Sequence, residues 1–330
     1  MIILQNLQLS VIVPVYNAAG TLENCLTALE NSTFQAFDLI VVDDGSVDNS
    51  AEIARTHNAT VLSATGTKPQ GPAAARNYGA SHAKTDLLVF IDADCVVQPT
   101  TLAQFANYFS THPHIAAVFG SYDDTPAAPN FISQYKNLTH HFTHQQSPTQ
   151  VNTFWAGCGA IRRNWFEQIA GFNAHRYPHP AIEDIELGYR LSQAGGQIHL
   201  AKSIQVKHLK QWTLFSMLKS DIWDRALPWS KLLLTVKPQQ YDLNLAIHQQ
   251  LSALLFLSLP FITIFTLWLL PITMLIFLGL NNAYYRFMLR KRGILFALKC
   301  VPMQCAYFSY AITIYVWQKS RFILSKVDKQ

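Results

Sequence analysis

Apolar positions along the first 120 residues switch repeatedly between two rhythms. Leu9–Val15 is a nearly continuous apolar run that stops before Asn17. Leu22, Cys25, Leu26 and Leu29 then recur at i, i+3, i+4 and i+7, which predicts an amphipathic helix with Thr21 as its cap. Asp38–Val42 reads as a second buried strand, Ser50–His57 as a helix and Thr60–Leu62 as a short strand. Pro72–Ala83 predicts a helix with Ala75, Tyr78 and Gly79 on one face, followed by the strand Leu87–Ile91. Thr101–Thr111 places Leu102, Phe105, Ala106 and Phe109 inward, and Ile115–Gly120 closes the series as a strand. Strands alternating with helices predict an α/β fold with a mostly parallel sheet and right-handed crossovers.

The rhythm then loosens. Residues 121–160 contain Pro126, Pro129, Pro148 and the histidines His140, His141 and His144, which read as part of an acceptor-side helix without a metal. Phe154–Ala160 looks like a strand meeting a glycine loop, Trp165–Ile169 like a short helix, and Ile182–Ala194 like a helix closed by Gly195-Gly196. Ile204–Lys207 reads as a strand ending at His208. From Trp212 to Trp229, aromatic residues recur near helical spacing among Lys219 and Arg225, the pattern of an interfacial helix.

Leu251–Leu280 is an uncharged run of 30 residues. A bilayer core of roughly 30 Å needs about 20 residues of helix. Pro260 and Pro271 therefore suggest a hairpin of two shorter helices with both basic flanks on one side. Ile294–Trp317, broken only by Lys299, is a third span or a re-entrant segment.

Charge sharpens this division. The chain has 330 residues, 50% hydrophobic and 14% charged, with a net charge of +5. Residues 1–201 carry 9 Lys/Arg against 16 Asp/Glu, a net −7, and residues 202–330 carry 16 against 4, a net +12. Beside the apolar runs, that basic half points to a membrane surface and away from nucleic acid. Five scattered cysteines without a C-x-x-C indicate neither a disulfide framework nor a zinc site. The organisation expected is a catalytic domain over 1–210, an amphipathic linker over 211–240 and a membrane region over 241–330.

The chemistry concentrates where acidic loops follow buried strands: Asp43-Asp44-Gly45-Ser46 and Asp92-Ala93-Asp94. Ligands of open α/β sheets bind beyond the carboxyl ends of the strands. Carboxylates there suit a hard divalent cation that in turn holds phosphates. A cation between Asp92-x-Asp94 and a nucleotide diphosphate would neutralise the leaving group as its bond to a sugar breaks.

Val11-Ile12-Val13-Pro14-Val15-Tyr16-Asn17, Val41-Val42-Asp43-Asp44-Gly45-Ser46-x-Asp48, Ala75-Arg76-Asn77-x-Gly79, Asp92-Ala93-Asp94 and Glu183-Asp184-Ile185-Glu186 follow in that order. Together they resemble the family 2 glycosyltransferases of the GT-A fold, over roughly residues 8–210. The resemblance implies inverting transfer of a sugar from a nucleotide donor, such as a UDP-sugar, with Mn²⁺ or Mg²⁺. It implies Asp94 as metal ligand, with His208 completing the metal or diphosphate site, and Asp92 near the ribose. Asp44 would accept a hydrogen bond from the base, Pro14 and Tyr16 would lie against the nucleotide, and Arg76 would pair with phosphate or nucleotide. Gly157 would let backbone approach the donor sugar. The acidic pair Glu183-Asp184 would be catalytic, with Asp184 taking the proton of the acceptor hydroxyl. Each site has a plainer reading as well: a solvated turn at Asp92–Asp94, a helix-surface ion pair at Arg76, a tight turn at Gly157, and dipole-stabilising acids at Glu183-Asp184.

The chain lacks the Q-x-x-R-W of processive synthases, which argues for single transfers. The expected partners are a nucleotide sugar and a lipid or lipid-linked acceptor, at the cytoplasmic face of the cytoplasmic membrane. A polyprenyl-phosphate sugar synthase, whose acceptor needs no base, and a catalytically silent nucleotide-sugar-binding scaffold are the alternatives.

Overall fold

The computed structural model describes residues 7–64, 68–236 and 246–327, leaving aside the side chains at 260, 261, 263, 265, 326 and 327. Residues 237–240 of the expected linker and the end of the basic tail lie outside this set. The chain divides into two compact units, Met1–Trp212 and Thr213–Gln330.

The first unit alternates as its pattern predicts. In chain order it runs β1 (Leu9–Val15), α1 (Ala19–Glu30), β2 (Phe37–Asp43), α2 (Ser50–Thr56), β3 (Thr60–Ser63), α3 (Pro72–His82) and β4 (Leu87–Ile91). There follow β5 (Cys95–Val97), α4 (Thr101–Thr111), β6 (Ile115–Tyr122), α5 (Phe131–Gln146), β7 (Gln150–Val151), β8 (Cys158–Arg162), α6 (Arg163–Gln168), α7 (Glu183–Gln193) and β9 (Gln197–His208). One sheet orders the strands β3-β2-β1-β4-β8-β6-β9-β5, with β7 beside β9. Its first half is parallel, β3-β2-β1-β4. Beyond β4 the sheet is mixed, because β8 is antiparallel to both β4 and β6, and β5 and β7 are antiparallel to β9. The expected mostly parallel sheet holds only for the part the α/β alternation dictates.

Central β4 is buried along its whole length, which is why Leu87–Ile91 is an unbroken apolar run and not an alternating one. Gly79 is where α3 meets the sheet: a Cβ there would lie 2.6 Å from Ile12 Cγ2 and 3.0 Å from Val42 Cγ2. One local expectation is corrected and another extended. α1 begins at Ala19, so Thr21 lies inside its first turn, and its hydroxyl donates to the Ala18 carbonyl (3.3 Å) without capping the helix. Within residues 121–160 the helix expected around His140–His144 is the 16-residue α5, which starts as early as Phe131; its buried face is mostly polar (Ser133, Gln134, Asn137, His141 and His144) around Tyr135 and Leu138, so its full length left little apolar period to read.

In the second unit, α8 (Leu214–Lys219) opens with a capping box between Thr213 and Ser216 and continues through a π-helical turn, Ser220–Ala226, into α9 (Leu227–Thr235). Trp212 does not belong to this helix; it is buried in the first unit, its backbone N–H donating to Ser133 Oγ (2.7 Å). Phe215 and Trp223 are exposed, as an interfacial helix requires. The apolar run forms α10 (Ile247–Phe265) and α11 (Leu270–Leu280), then α12 (Asn282–Arg292) and α13 (Ile294–Val327) follow. The run does fold back on itself, but α10 continues through position 260 and the break comes at Thr266, ahead of Pro271. Among the described residues the one helix long and apolar enough to cross a membrane is α13, over Ile294–Ser325; α11 and α12 are bent by 71°.

Candidate active site

The carboxyl ends of β1, β2 and β4 converge on one edge of the sheet, and the acidic loops hang from them. Asp43 closes β2 opposite Val15. Its Oδ1 accepts from the Ser46 N–H (3.2 Å), which tightens the loop. Ser46 Oγ accepts from the Asn17 N–H (2.9 Å), and Asn17 Oδ1 accepts from the Val47 N–H (2.9 Å). Asp48 accepts from the Ala19 N–H (3.0 Å). The Asn17 and Asp43–Asp48 motifs therefore staple the β1–α1 and β2–α2 loops together, with Asn17 at a left-handed φ of 49°.

Asp44 is buried, and its two oxygens accept from the Gln70 N–H (2.9 Å) and the Gly71 N–H (2.7 Å). Gly71 has φ +88°, and a Cβ there would strike the Pro178 carbonyl at 2.4 Å. A cleft lined by Asp44, Ala64, Gln70, Ala74, Ala75 and Tyr78 results. Tyr16 is half exposed and follows Val15, whose carbonyl accepts from the Asp44 N–H (2.8 Å). Pro14 pairs with Val42, beyond the last β1–β4 pair at Ile12–Phe90, where its missing N–H costs no ladder bond.

Arg76 departs most from expectation. It is buried, neither a surface ion pair nor turned to solvent. Its Nη2 donates to Asp92 Oδ1 (2.7 Å) and its Nη1 to Glu183 Oε1 (2.8 Å). Burial alone would lower its pKa; the charges of Asp92, Glu183 and Asp184 hold it above the ordinary arginine value. Glu183 uses its other oxygen to accept from the Ala181 N–H (2.9 Å). With both oxygens so occupied, Glu183 is placed as Arg76's counter-ion and is poorly placed to take a proton.

Asp184, one residue on, is half-buried. Its Oδ2 accepts from the Ala156 N–H (3.2 Å) and its Oδ1 from the Ile185 N–H (2.8 Å). The Gly157 carbonyl in turn accepts from the Asp92 N–H (3.1 Å). Gly157 is thus bound into the Asp92 loop. The space its missing Cβ leaves is filled by the Trp155 indole, 2.6 Å from where a Cβ would stand.

Asp94 faces His208, with Oδ2 and Nε2 3.4 Å apart. Burial works against the Asp94 charge, but the His208 hydrogen bond and the charges of His208 and Lys210 hold its carboxyl below the usual range. His208 ends β9, pairs with Cys95 in β5, and stacks on Tyr122 with ring centroids 4.2 Å apart and planes at 15°. Trp155 and His140 flank Tyr122 at 4.7 and 4.6 Å, and His141 Nδ1 lies 2.7 Å from the Tyr122 carbonyl oxygen. His140 and His144 are thus members of an aromatic cluster. Tyr122 and Trp155 were not singled out in the sequence, though an aromatic residue abutting Gly157-Cys158-Gly159 was the available signal.

Asp92, Arg76, Glu183 and Gly157 are therefore linked by direct contacts, Asp184 joins them through Ala156, and the Asp94–His208 pair joins them through the Asp92–Asp94 loop. One carboxylate and one imidazole fit a divalent cation that takes its remaining ligands from a diphosphate and water. Among the described residues no group of three or more His, Cys, Asp or Glu is gathered to hold a metal without substrate.

Residues 10–170 match the family profile described as "Glycosyl transferase family 2". An uncharacterized glycosyltransferase of Haemophilus influenzae is 36% identical over 118 residues, 34% of this chain and 46% of that protein. The O-antigen chain rhamnosyltransferase RfbN of Salmonella typhimurium is 25% identical over 216 residues, 63% of this chain and 68% of that protein. The chain thus matches just under half of the first relative's length and about two thirds of the second's. Among solved structures, the mannosyltransferase PcManGT from Pyrobaculum calidifontis, in complex with GDP-Man and Mn²⁺, is similar over 94% of this chain and 88% of that one, with 17% identity and a TM-score of 0.58. S. aureus TarS in complex with UDP-GlcNAc is similar over 94% and 89%, with 17% identity and a TM-score of 0.52. The fold is the GT-A fold of these neighbours.

Proposed function

The chain belongs to family 2 of the glycosyltransferases, and on that premise we propose that it transfers one sugar from a nucleotide-diphosphate sugar to a hydroxyl of a lipid or lipid-linked acceptor at the cytoplasmic membrane surface. The observation that carries this reading is the connection of Asp184 to the Asp92–Asp94 loop through Ala156-Gly157 on one side and Arg76–Glu183 on the other. In this reading the connection holds the proton acceptor and the diphosphate site in one frame.

In this reading the nucleobase enters the cleft beside Asp44, with the Tyr16 ring near it. Arg76 holds Asp92 toward the ribose. Asp94 and His208 would hold Mn²⁺ or Mg²⁺, which when bound supplies the positive charge that stabilises the departing diphosphate. Asp184 accepts the proton of the acceptor hydroxyl. The oxygen bonds to the anomeric carbon, the bond from that carbon to the diphosphate oxygen breaks, and the nucleoside diphosphate leaves with the electron pair. Attack opposite the leaving group inverts the anomeric centre.

The acceptor assignment is supported by the net +12 of residues 202–330 and by the many exposed apolar side chains on α10 to α13. The test is a panel of UDP-, GDP- and dTDP-sugars with Mn²⁺ and the full chain in detergent, read by nucleotide release with and without bacterial lipid extract. One donor should be consumed faster when extract is present. No release with any donor, with or without extract, would refute the reading.

A further inference from the structure

α13 passes the length and composition test for a membrane span, yet its contacts put it in the wrong place for one. Its charge-free stretch is Cys300–Gln318, between Lys299 and Lys319. At 1.5 Å per residue that is about 28 Å, just the hydrocarbon thickness. Any crossing must use this stretch, and its centre is within a residue of Tyr310. The Tyr310 hydroxyl donates to Asp221 Oδ2 (3.0 Å). Asp221 sits in the π-helical turn Ser220–Ala226, in a segment that also carries Lys219, Asp224 and Arg225. A crossing α13 would draw this charged segment to the bilayer midplane, where ionised side chains are costly and rare.

Two further observations agree. Between Cys300 and Gln318 the exposed positions are Pro302, Ala306, Ser309, Thr313, Val316 and Trp317. The middle of that exposed stripe is small and polar, unsuited to facing acyl chains. The large exposed apolar side chains lie toward the ends of α13, at Leu295, Leu298, Trp317 and Leu324. The depth of the α10–α11 hairpin gives the second observation. Asn281 Nδ2 donates to Ser252 Oγ (2.9 Å), which sets the mouth of the hairpin. From Ser252 α10 runs on to Phe265, so the fold-back reaches only about 20 Å beyond that mouth, short of the roughly 30 Å of a bilayer core. Phe308 packs on Phe277, close to the mouth and far from the tip at Leu267 and Trp268. The centre of α13 therefore sits near the α11–α12 corner, and the cations Arg290, Lys291 and Arg292 close α12 just ahead of the start of α13.

We infer that the second unit is a monotopic anchor: the α10–α11 hairpin dips into one leaflet, while α12, α13 and the Asp221 segment lie in the interfacial plane of a membrane with anionic headgroups. The exposed apolar side chains near the ends of α13 and on the hairpin face lipid, and the α12 cations face headgroups. This inference rests on the membrane attachment proposed above and replaces the two or three crossings expected from the sequence.

The test uses the full chain with Lys299→Cys or Lys319→Cys, both exposed positions that flank the charge-free stretch. Four of the five native cysteines are buried, so background labelling is low. A membrane-impermeant maleimide is applied to inside-out vesicles and to intact cells. Both positions should label in inside-out vesicles and neither in intact cells. Labelling of the two positions from opposite sides overturns the inference and leaves membrane attachment standing. Protection of both until detergent is added overturns the surface placement. Recovery of the chain in the soluble fraction, with no flotation on anionic vesicles, refutes attachment itself and the inference with it.

Discussion

Arg76 and Glu183 are 107 residues apart in the sequence and 2.8 Å apart in the fold. The contact ties α3, which lines the Asp44 cleft, to the helix that carries Asp184. With Asp92 as its second partner, Arg76 is the buried cation on which two acidic motifs close. Removing one member of a buried ion pair costs about 3–5 kcal/mol, because the partner is left charged and desolvated. Arg76→Met should lower the melting temperature sharply, and Arg76→Met with Glu183→Gln should recover part of the loss. Additive losses in the double variant would show that the two residues are not coupled.

Asp184→Asn keeps the shape of the side chain and removes its basicity. kcat should fall by about 10²–10⁴ while the donor dissociation constant stays within a few-fold of wild type. Near-normal turnover would take the base role from Asp184 and favour a phosphate acceptor, which needs no base.

Asp94 and His208 carry separate expectations for metal. Chelation with EDTA, or Asp94→Ala, should abolish transfer. His208→Ala should raise the Mn²⁺ concentration needed for half-maximal nucleotide binding, measured by calorimetry. An unchanged Mn²⁺ titration would leave His208 a purely structural partner of Tyr122.

Gly79→Ala tests the approach of α3 to the sheet. The new methyl would stand 2.6 Å from Ile12 Cγ2, and Ile12 is β-branched inside a strand and has little room to yield. Overpacking of this kind costs about 1–3 kcal/mol. A melting temperature equal to wild type would mean that the helix can lift away.

His57 sets a pH dependence of stability. Burial alone would lower its pKa, but hydrogen bonds to Glu30 and Glu23 raise it above 6.5. A raised histidine stabilises fully below its unfolded pKa and loses that contribution as pH rises through the folded one. The melting temperature should therefore decline as pH increases from about 6.5, and His57→Gln should flatten that part of the curve. A His57→Gln variant with an unchanged slope would assign the decline to another group.

The α/β alternation and the strand-end acids were legible because buried strands and amphipathic helices leave periodic apolar marks. β1, β2 and β4 carry such marks, and so does α1. What escaped was written in polar residues. The first half of α5, ahead of the helix expected at His140–His144, is one case: it buries Ser133, Gln134 and Asn137, which no apolar period records. Arg76 was read as a group for the nucleotide because a cation among acidic motifs suggests phosphate; its burial depends on α7, far along the chain. Asn77 is similar: its amide donates to the Phe172 carbonyl (2.8 Å) and its Oδ1 accepts from the Phe172 N–H (2.8 Å), a clamp invisible without the fold. In the membrane region the deciding contact is again distant in sequence. Composition shows that a helix is apolar enough to cross, while the contact on which the inferred surface placement rests joins Tyr310 to Asp221, 89 residues away.

The doubly bonded Asp44 has a thermodynamic consequence. Its two oxygens fix the Gln70 and Gly71 amides to the end of β2, so this wall of the cleft forms when the sheet forms. A nucleotide bound there as proposed would meet a surface whose ordering entropy has already been lost in folding. Its association should carry little conformational penalty on the base side. In calorimetry, Asp44→Ala should then show itself as a less favourable binding entropy beyond any loss of enthalpy, since the 68–71 segment would have to be ordered anew by each ligand.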